Sequence, residues 1–127
     1  MITVDYVLRI QQILIEQFGG SSGLRSRELL ESALARPYQT FDGHDLYPDP
    51  EDKAAALVES LVINHPFLDG NKRLGYVLMR IILLDQNLDI RASTEEKYEL
   101  IIDISKGSLK FEQIRDWIKL RLIKNVP

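Results

Sequence analysis

The chain has 127 residues, 45% hydrophobic and 28% charged, enough to bury one sizeable core and too few for a multidomain enzyme. Sixteen Lys and Arg against nineteen Asp and Glu give a formal charge of −3, which excludes a global basic surface for gripping nucleic acid. With no cysteine, disulfides, thiolate metal sites and cysteine nucleophiles are excluded, so any chemistry must use other groups.

Val4, Val7, Leu8, Leu14, Ile15 and Phe18 form an amphipathic stripe that predicts a first helix, stopped by Gly19-Gly20. Ser26 is placed to cap a second helix carrying Leu29, Leu30, Ala33 and Leu34, with Pro37 beyond its end. From Pro37 to Pro50, three prolines, a glycine and three aromatics follow no period and predict an irregular flap. A third helix is expected from about Pro50 to Asn64, because Pro66 disfavours helical geometry at His65.

A fourth helix should run from Asn71 to about Gln86. Its Tyr76 to Leu84 stretch is apolar almost all round, which predicts a place at the centre of the core. Leu74 to Leu84 is also the longest apolar run, yet it spans only eleven residues and contains Arg80, far short of the roughly twenty a membrane span needs. Ser93 with Glu96 predicts a fifth helix through Ser105, and Phe111, Ile114, Trp117, Ile118 and Leu122 mark a last one, with Ser108 read as a cap. No segment alternates convincingly as a strand. The expectation is one all-α domain over residues 1–127, about six helices around a central buried helix. Met1 to Asp5 has no features of a signal peptide, so a cytoplasmic location is the default expectation.

Charge is unevenly spread. From Glu28 to Glu59 eight acids face two bases, and from Lys106 to Pro127 six bases face two acids; one or both patches could dock a protein partner.

The chemistry concentrates in His65-Pro66-Phe67-Leu68-Asp69-Gly70-Asn71-Lys72-Arg73, the loop entering the fourth helix. A helix start offers unpaired N–H groups and the positive end of a dipole, and Gly70 lets a phosphate approach the backbone. Lys72 and Arg73 are cations in the first helical turn, where cations are disfavoured unless an anionic ligand compensates. Asp69 supplies a hard oxygen suited to a Mg²⁺ that keeps most of its waters and bridges substrate phosphates. His65 carries the side chain type best able to take a proton from an attacking hydroxyl at neutral pH. Phe67 is the expected anchor of the loop in the core, and Asn71 can bond a phosphate oxygen or hold the loop in shape.

These nine residues match the signature of the Fic superfamily, His-Pro-Phe-x-Asp/Glu-Gly-Asn-x-Arg, and resemble most closely the Doc (death-on-curing) toxins, which carry lysine where Lys72 stands. The Gly19-Gly20 pair, the Gly23-Leu24-Arg25 turn, Leu30 to Pro37, Lys53 to Leu57 and the Trp117 helix also resemble the family's layout. The resemblance implies the all-helical Fic fold and transfer of part of a nucleotide to a protein hydroxyl. In the Doc-like form this is γ-phosphate transfer from ATP with Mg²⁺, a kinase activity directed at a threonine of elongation factor Tu. Inhibition of translation follows, and a Phd-type antitoxin is the partner. Fic adenylyltransferases, which usually carry glycine at the position of Lys72, move AMP instead. Carried over by residue, His65 is the general base, Asp69 the metal ligand, and Gly70, Asn71, Lys72 and Arg73 the phosphate binders. Leu74-Gly75 departs from the Thr-Ala often found in Doc-like sequences. The competing expectations are an adenylyltransferase and, from another class, a non-enzymatic module that uses the pocket or flap to hold a peptide. Neither membrane association nor direct nucleic-acid binding is expected.

Overall fold

Thr3 and Ser26 each stand just ahead of an apolar stripe, and in the computed structural model, which describes residues 1–125, each caps a helix. The Thr3 hydroxyl accepts from the Tyr6 N–H at 3.2 Å and the Ser26 hydroxyl from the Leu29 N–H at 3.1 Å, satisfying orphan donors of α1 (Val4–Phe18) and α2 (Arg27–Ala35). A single 3₁₀ turn (Arg36–Tyr38) follows. The flap then folds as a minimal hairpin, β1 (Thr40–Phe41) against β2 (His44–Asp45), fully exposed, with Asp42 and Gly43 both at positive φ in its turn.

Asp49 and Asp52 form a reciprocal capping box at the start of α3 (Pro50–Asn64), and the helix ends on His65 at φ 54°, just before Pro66. After the motif loop come α4 (Asn71–Asp85), β3 (Leu88–Ile90), α5 (Thr94–Ser105), α6 (Phe111–Arg121) and β4 (Leu122–Lys124). Ser93 and Glu96 cap α5 reciprocally, as expected. The N-cap of α6 is Lys110 and not Ser108, because the Gln113 carboxamide accepts from the Lys110 N–H and fixes the start there.

The molecule is all-α in its architecture, with six helices among the described residues, and two of the sequence expectations need correction. The first concerns strands: β3 pairs antiparallel with β4, with Ile90 opposite Leu122, so the last helix stops at Arg121 and Leu122 leaves it. Segments of two or three residues are too short for alternation to register. The second concerns the centre. α3, not α4, is the helix packed against α2, α4, α5 and α6, with five consecutive residues, Ala54 to Val58, buried. Three alanines in that run let the neighbouring helices approach on all sides, whereas α4 keeps Tyr76, Val77 and Arg80 only partly covered. Gly75 tightens the contact between the two: a Cβ there would stand 2.9 Å from a methyl of Val62. No helix among the described residues is long and apolar enough to cross a membrane.

Candidate functional site

The motif loop is built by being tied on its inner side. Phe67 is buried to 2% exposure, and the buried Asn71 carboxamide closes on the Phe67 backbone in both directions, accepting from its N–H and donating to its C=O, each at 2.9 Å. Of the two tasks open to Asn71, holding the loop is therefore the one on display. The Gly23-Leu24-Arg25 turn supplies the rest. Arg25 and Ser26 N–H groups donate to the Pro66 carbonyl, Leu68 N–H donates to the Gly23 carbonyl, and the Arg25 guanidinium donates to the carbonyls of Asn64 and His65 at 2.7 Å each. This holds His65 in the left-handed region, an uncommon conformation for a non-glycine residue and one that functional sites often store.

α1 braces the other side. Gln11, buried in the middle of the apolar stripe, donates to the Asp69 carbonyl at 2.7 Å. One Asp69 carboxylate oxygen, Oδ2, accepts from the Ser21 N–H at 3.0 Å. Gly70, at φ 78°, is the N-cap of α4 and brings no side chain to its first turn; a Cβ there would be strained and would sit 3.1 Å from the Gln11 amide nitrogen. The first ladder bond of α4 is Leu74 N–H to the Gly70 carbonyl, and the N–H groups of Asn71, Lys72 and Arg73 find no acceptor among the described residues. Lys72 is exposed, and Arg73 lies 4.5 Å over the Phe18 ring; neither has a carboxylate partner among the described residues.

These groups open onto one pocket of about 550 Å³, lined by His65, Asp69, Gly70, Asn71, Lys72 and Arg73 on the motif side. All the site residues named from the sequence, apart from the buried anchor Phe67, therefore share one cavity. The opposite wall is α5, through Thr94, Lys97, Tyr98, Ile101 and Ile102, together with Tyr76 of α4. A second cavity, about 650 Å³, lies at the far end of α4 beside Tyr38 and Asp85. It holds none of the motif residues, and volume without convergent chemistry is a weak pointer to a site.

Residues 1–83 match the sequence pattern of the Fic/DOC family, about two thirds of the chain. The chain belongs to the Fic/DOC family. It is also similar to Toxin Doc of Mycolicibacterium smegmatis (strain ATCC 700084 / mc(2)155), with 51% identity over 59 residues. That match covers 46% of this chain and 45% of the relative, so it spans less than half of the relative's length.

Sequence reasoning missed Gln11, Ser21 and the α5 wall of this Fic/DOC site. A signal for Gln11 existed: it is a polar side chain at a stripe position, between Val7 and Leu14, where an apolar residue belongs. Ser21 acts through its backbone N–H, which no residue type announces. Thr94, Tyr98, Ile101 and Ile102 share a face by helical spacing, but only the tertiary fold sets that face opposite the motif.

Proposed function

We propose that this Fic/DOC chain is the toxin of a toxin–antitoxin pair and an enzyme that transfers the γ-phosphate of ATP to a hydroxyl side chain of a target protein. The observation that carries the reading is the convergence of a general-base candidate, a carboxylate, free helix N–H groups and two unpaired cations on one pocket. Likeness to a protein named Toxin Doc supports the biological role. Lys72 supports phosphate transfer over AMP transfer, because a long cationic side chain occupies the position where adenylyltransferases of the superfamily usually have glycine.

In this reading His65 takes the proton as the target oxygen attacks the γ-phosphorus; the new P–O bond forms as the bond to the ADP oxygen breaks, and ADP leaves. The N–H groups of the first turn of α4, with Lys72 and Arg73, hold phosphate oxygens and offset the charge spread over them in transfer. The donor set fits Mg²⁺: among the described residues no three His, Asp or Glu side chains cluster, but Asp69 presents one hard carboxylate whose Oδ2 is already oriented by Ser21. A metal that keeps its waters and shares substrate phosphates needs no more protein than that. Asp69 would hold it, and it would supply charge neutralisation at the phosphates. The exposed hairpin of β1 and β2 suits an edge on which a target segment could be laid. The resemblance points to a threonine of elongation factor Tu as target and to a Phd-type antitoxin as partner, acting in the cytoplasm.

Incubation with ATP, Mg²⁺ and elongation factor Tu, read by intact mass, tests the chemistry. A gain of one phosphate is expected; a gain of AMP would replace this reading with adenylyl transfer. Growth arrest on expression of the wild type, but not of Asp69→Ala, is expected of a catalytic toxin. Equal growth for the two would favour the non-enzymatic binding module.

A further inference from the structure

Gln11 shares the inward stripe of α1 with Val7 and Leu14, and at 4% exposure it is as buried as they are. Its side chain makes one hydrogen bond, from Nε2 to the Asp69 carbonyl 58 residues away in sequence, and its Oε1 has no partner among the described residues. A half-satisfied amide in an apolar stripe costs stability, so packing alone does not account for it. Its one contact fixes the plane of the Asp69–Gly70 peptide. That peptide turns easily when nothing holds it: rotation changes only ψ of Asp69 and φ of Gly70, and glycine accepts φ on either side of zero. In a trans peptide the C=O and the following N–H point opposite ways. With the Asp69 carbonyl drawn to α1, the Gly70 N–H is directed away from α1; it has no acceptor among the described residues, and Gly70 lines the pocket. The α1 side of Gly70 is closed, since a Cβ there would meet Gln11 Nε2 at 3.1 Å and Ile15 Cδ1 at 3.7 Å.

We infer that Gln11 is a positioning residue for phosphate binding: by holding the Asp69 carbonyl it keeps the Gly70 N–H aimed into the pocket as a donor to a phosphate oxygen, beside the free N–H groups of Asn71, Lys72 and Arg73. Released from Gln11, the peptide would be free to turn its carbonyl, the negative end of its dipole, toward the phosphates. The inference rests on the nucleotide reading of the motif and adds to it a residue from a different helix. Because the clamp acts on phosphate oxygens and on no other part of a nucleotide, ATP and inorganic tripolyphosphate should feel its loss alike.

Gln11→Met keeps the length and volume of the side chain and removes the donor. Wild type and variant, labelled with ¹⁵N, are titrated with ATP and with tripolyphosphate, each with Mg²⁺, and followed by NMR without any turnover. In the wild type the Gly70 amide proton should move downfield as either ligand binds. In Gln11→Met that movement should be lost and both ligands should bind about tenfold weaker, the loss of one hydrogen bond to a charged group. The melting temperature should hold, since the released carbonyl can turn to water. A lowered melting temperature with the Gly70 movement and both affinities kept would make Gln11 a purely structural residue and overturn the inference. So would a wild type that binds either ligand with its Gly70 amide unmoved, a result that needs no variant and leaves the nucleotide reading intact. Failure of both ligands to bind the wild type overturns the nucleotide reading, and the positioning role with it.

Discussion

Two arginines seven residues apart on α4 live in opposite circumstances. Arg80 makes a two-armed pair with Asp89 of β3, at 3.0 and 2.6 Å, which fastens the β3–β4 ribbon to the helix. Arg73, two turns nearer the N-terminus, faces the Phe18 ring and no acid among the described residues. The same contrast runs through the molecule. Arg36 is tied to Glu59, Ser60 and the Tyr47 hydroxyl at the root of the flap, and Arg121 to Glu96, whereas Lys72 projects free beside the pocket. A cation that holds the fold is matched within the chain. Lys72 and Arg73, at a helix N-terminus where the dipole opposes a cation, have no such match among the described residues, and in the proposed reading an anionic ligand supplies it.

The strongest way to break this division is at His65. Its side chain is exposed and makes no hydrogen bond among the described residues, so His65→Ala should leave the melting temperature within a degree or two. If His65 accepts the proton, transfer should fall by roughly 10²–10⁴-fold. Unchanged turnover would remove it from that role, and a large loss of stability would move it to the side of the structural residues.

Asn71 reverses the pattern. Asn71→Ala should strand the buried N–H and C=O of Phe67, at roughly 1–3 kcal/mol for each group left unpaired. Urea unfolding measures this directly. Loss of phosphate binding at unchanged stability would instead mean that the amide faces the ligand.

How much of this could be read in advance differs by residue. His65, Asp69, Gly70, Lys72 and Arg73 announce themselves because their side chains, or the lack of one, are chemically conspicuous within nine positions. The helices were legible where stripes and caps agree, as at Ser26 and at the Ser93–Glu96 box. The identity of the central helix was not, because the nearly continuous apolarity of Tyr76 to Leu84, broken only by Arg80, reads as more buried than a run of alanines that lets four helices meet. Nor were β3 and β4, which are set by the Arg80–Asp89 pair and by contacts more than thirty residues apart in sequence. The Ser21 contact to Asp69 is a backbone donation, so it too belongs to geometry and not to residue type.

Substituting the two arginines of α4 sharpens the comparison at smaller magnitude. Arg80→Ala should destabilise by about 1–2 kcal/mol and leave nucleotide affinity nearly unchanged. Arg73→Ala should do the opposite, weakening ATP binding about tenfold with little loss of stability. The pH dependence of unfolding tells them apart further. The hydrogen bonds from Arg80, helped by the Ile90 N–H, hold the Asp89 carboxyl below the usual range against the effect of its partial burial. A lowered folded-state value means that the unfolded chain binds the proton more readily. The contribution of this pair is therefore present above about pH 4 and is lost as pH falls below it through the folded-state value. In Arg80→Ala that acid limb of the stability curve should flatten, and in Arg73→Ala it should not.

The smallest effect is the most specific to the free cation. Phe18 is 61% exposed, so its ring contributes little to the core, yet it lies under the Arg73 guanidinium. A stacked arginine at an exposed site gains about 0.5–1 kcal/mol, which limits the guanidinium's wandering before the ligand arrives. Phe18→Ala should therefore weaken ATP binding by about two- to fivefold, a change within reach of calorimetry. Phe18→Tyr should restore it, since the ring is what counts. In the Arg73→Ala background the Phe18 substitution should have no further effect, because the ring then has no cation to hold. An equal loss with and without Arg73 would show that Phe18 meets the ligand itself, and the free arginine would owe its position to the helix alone.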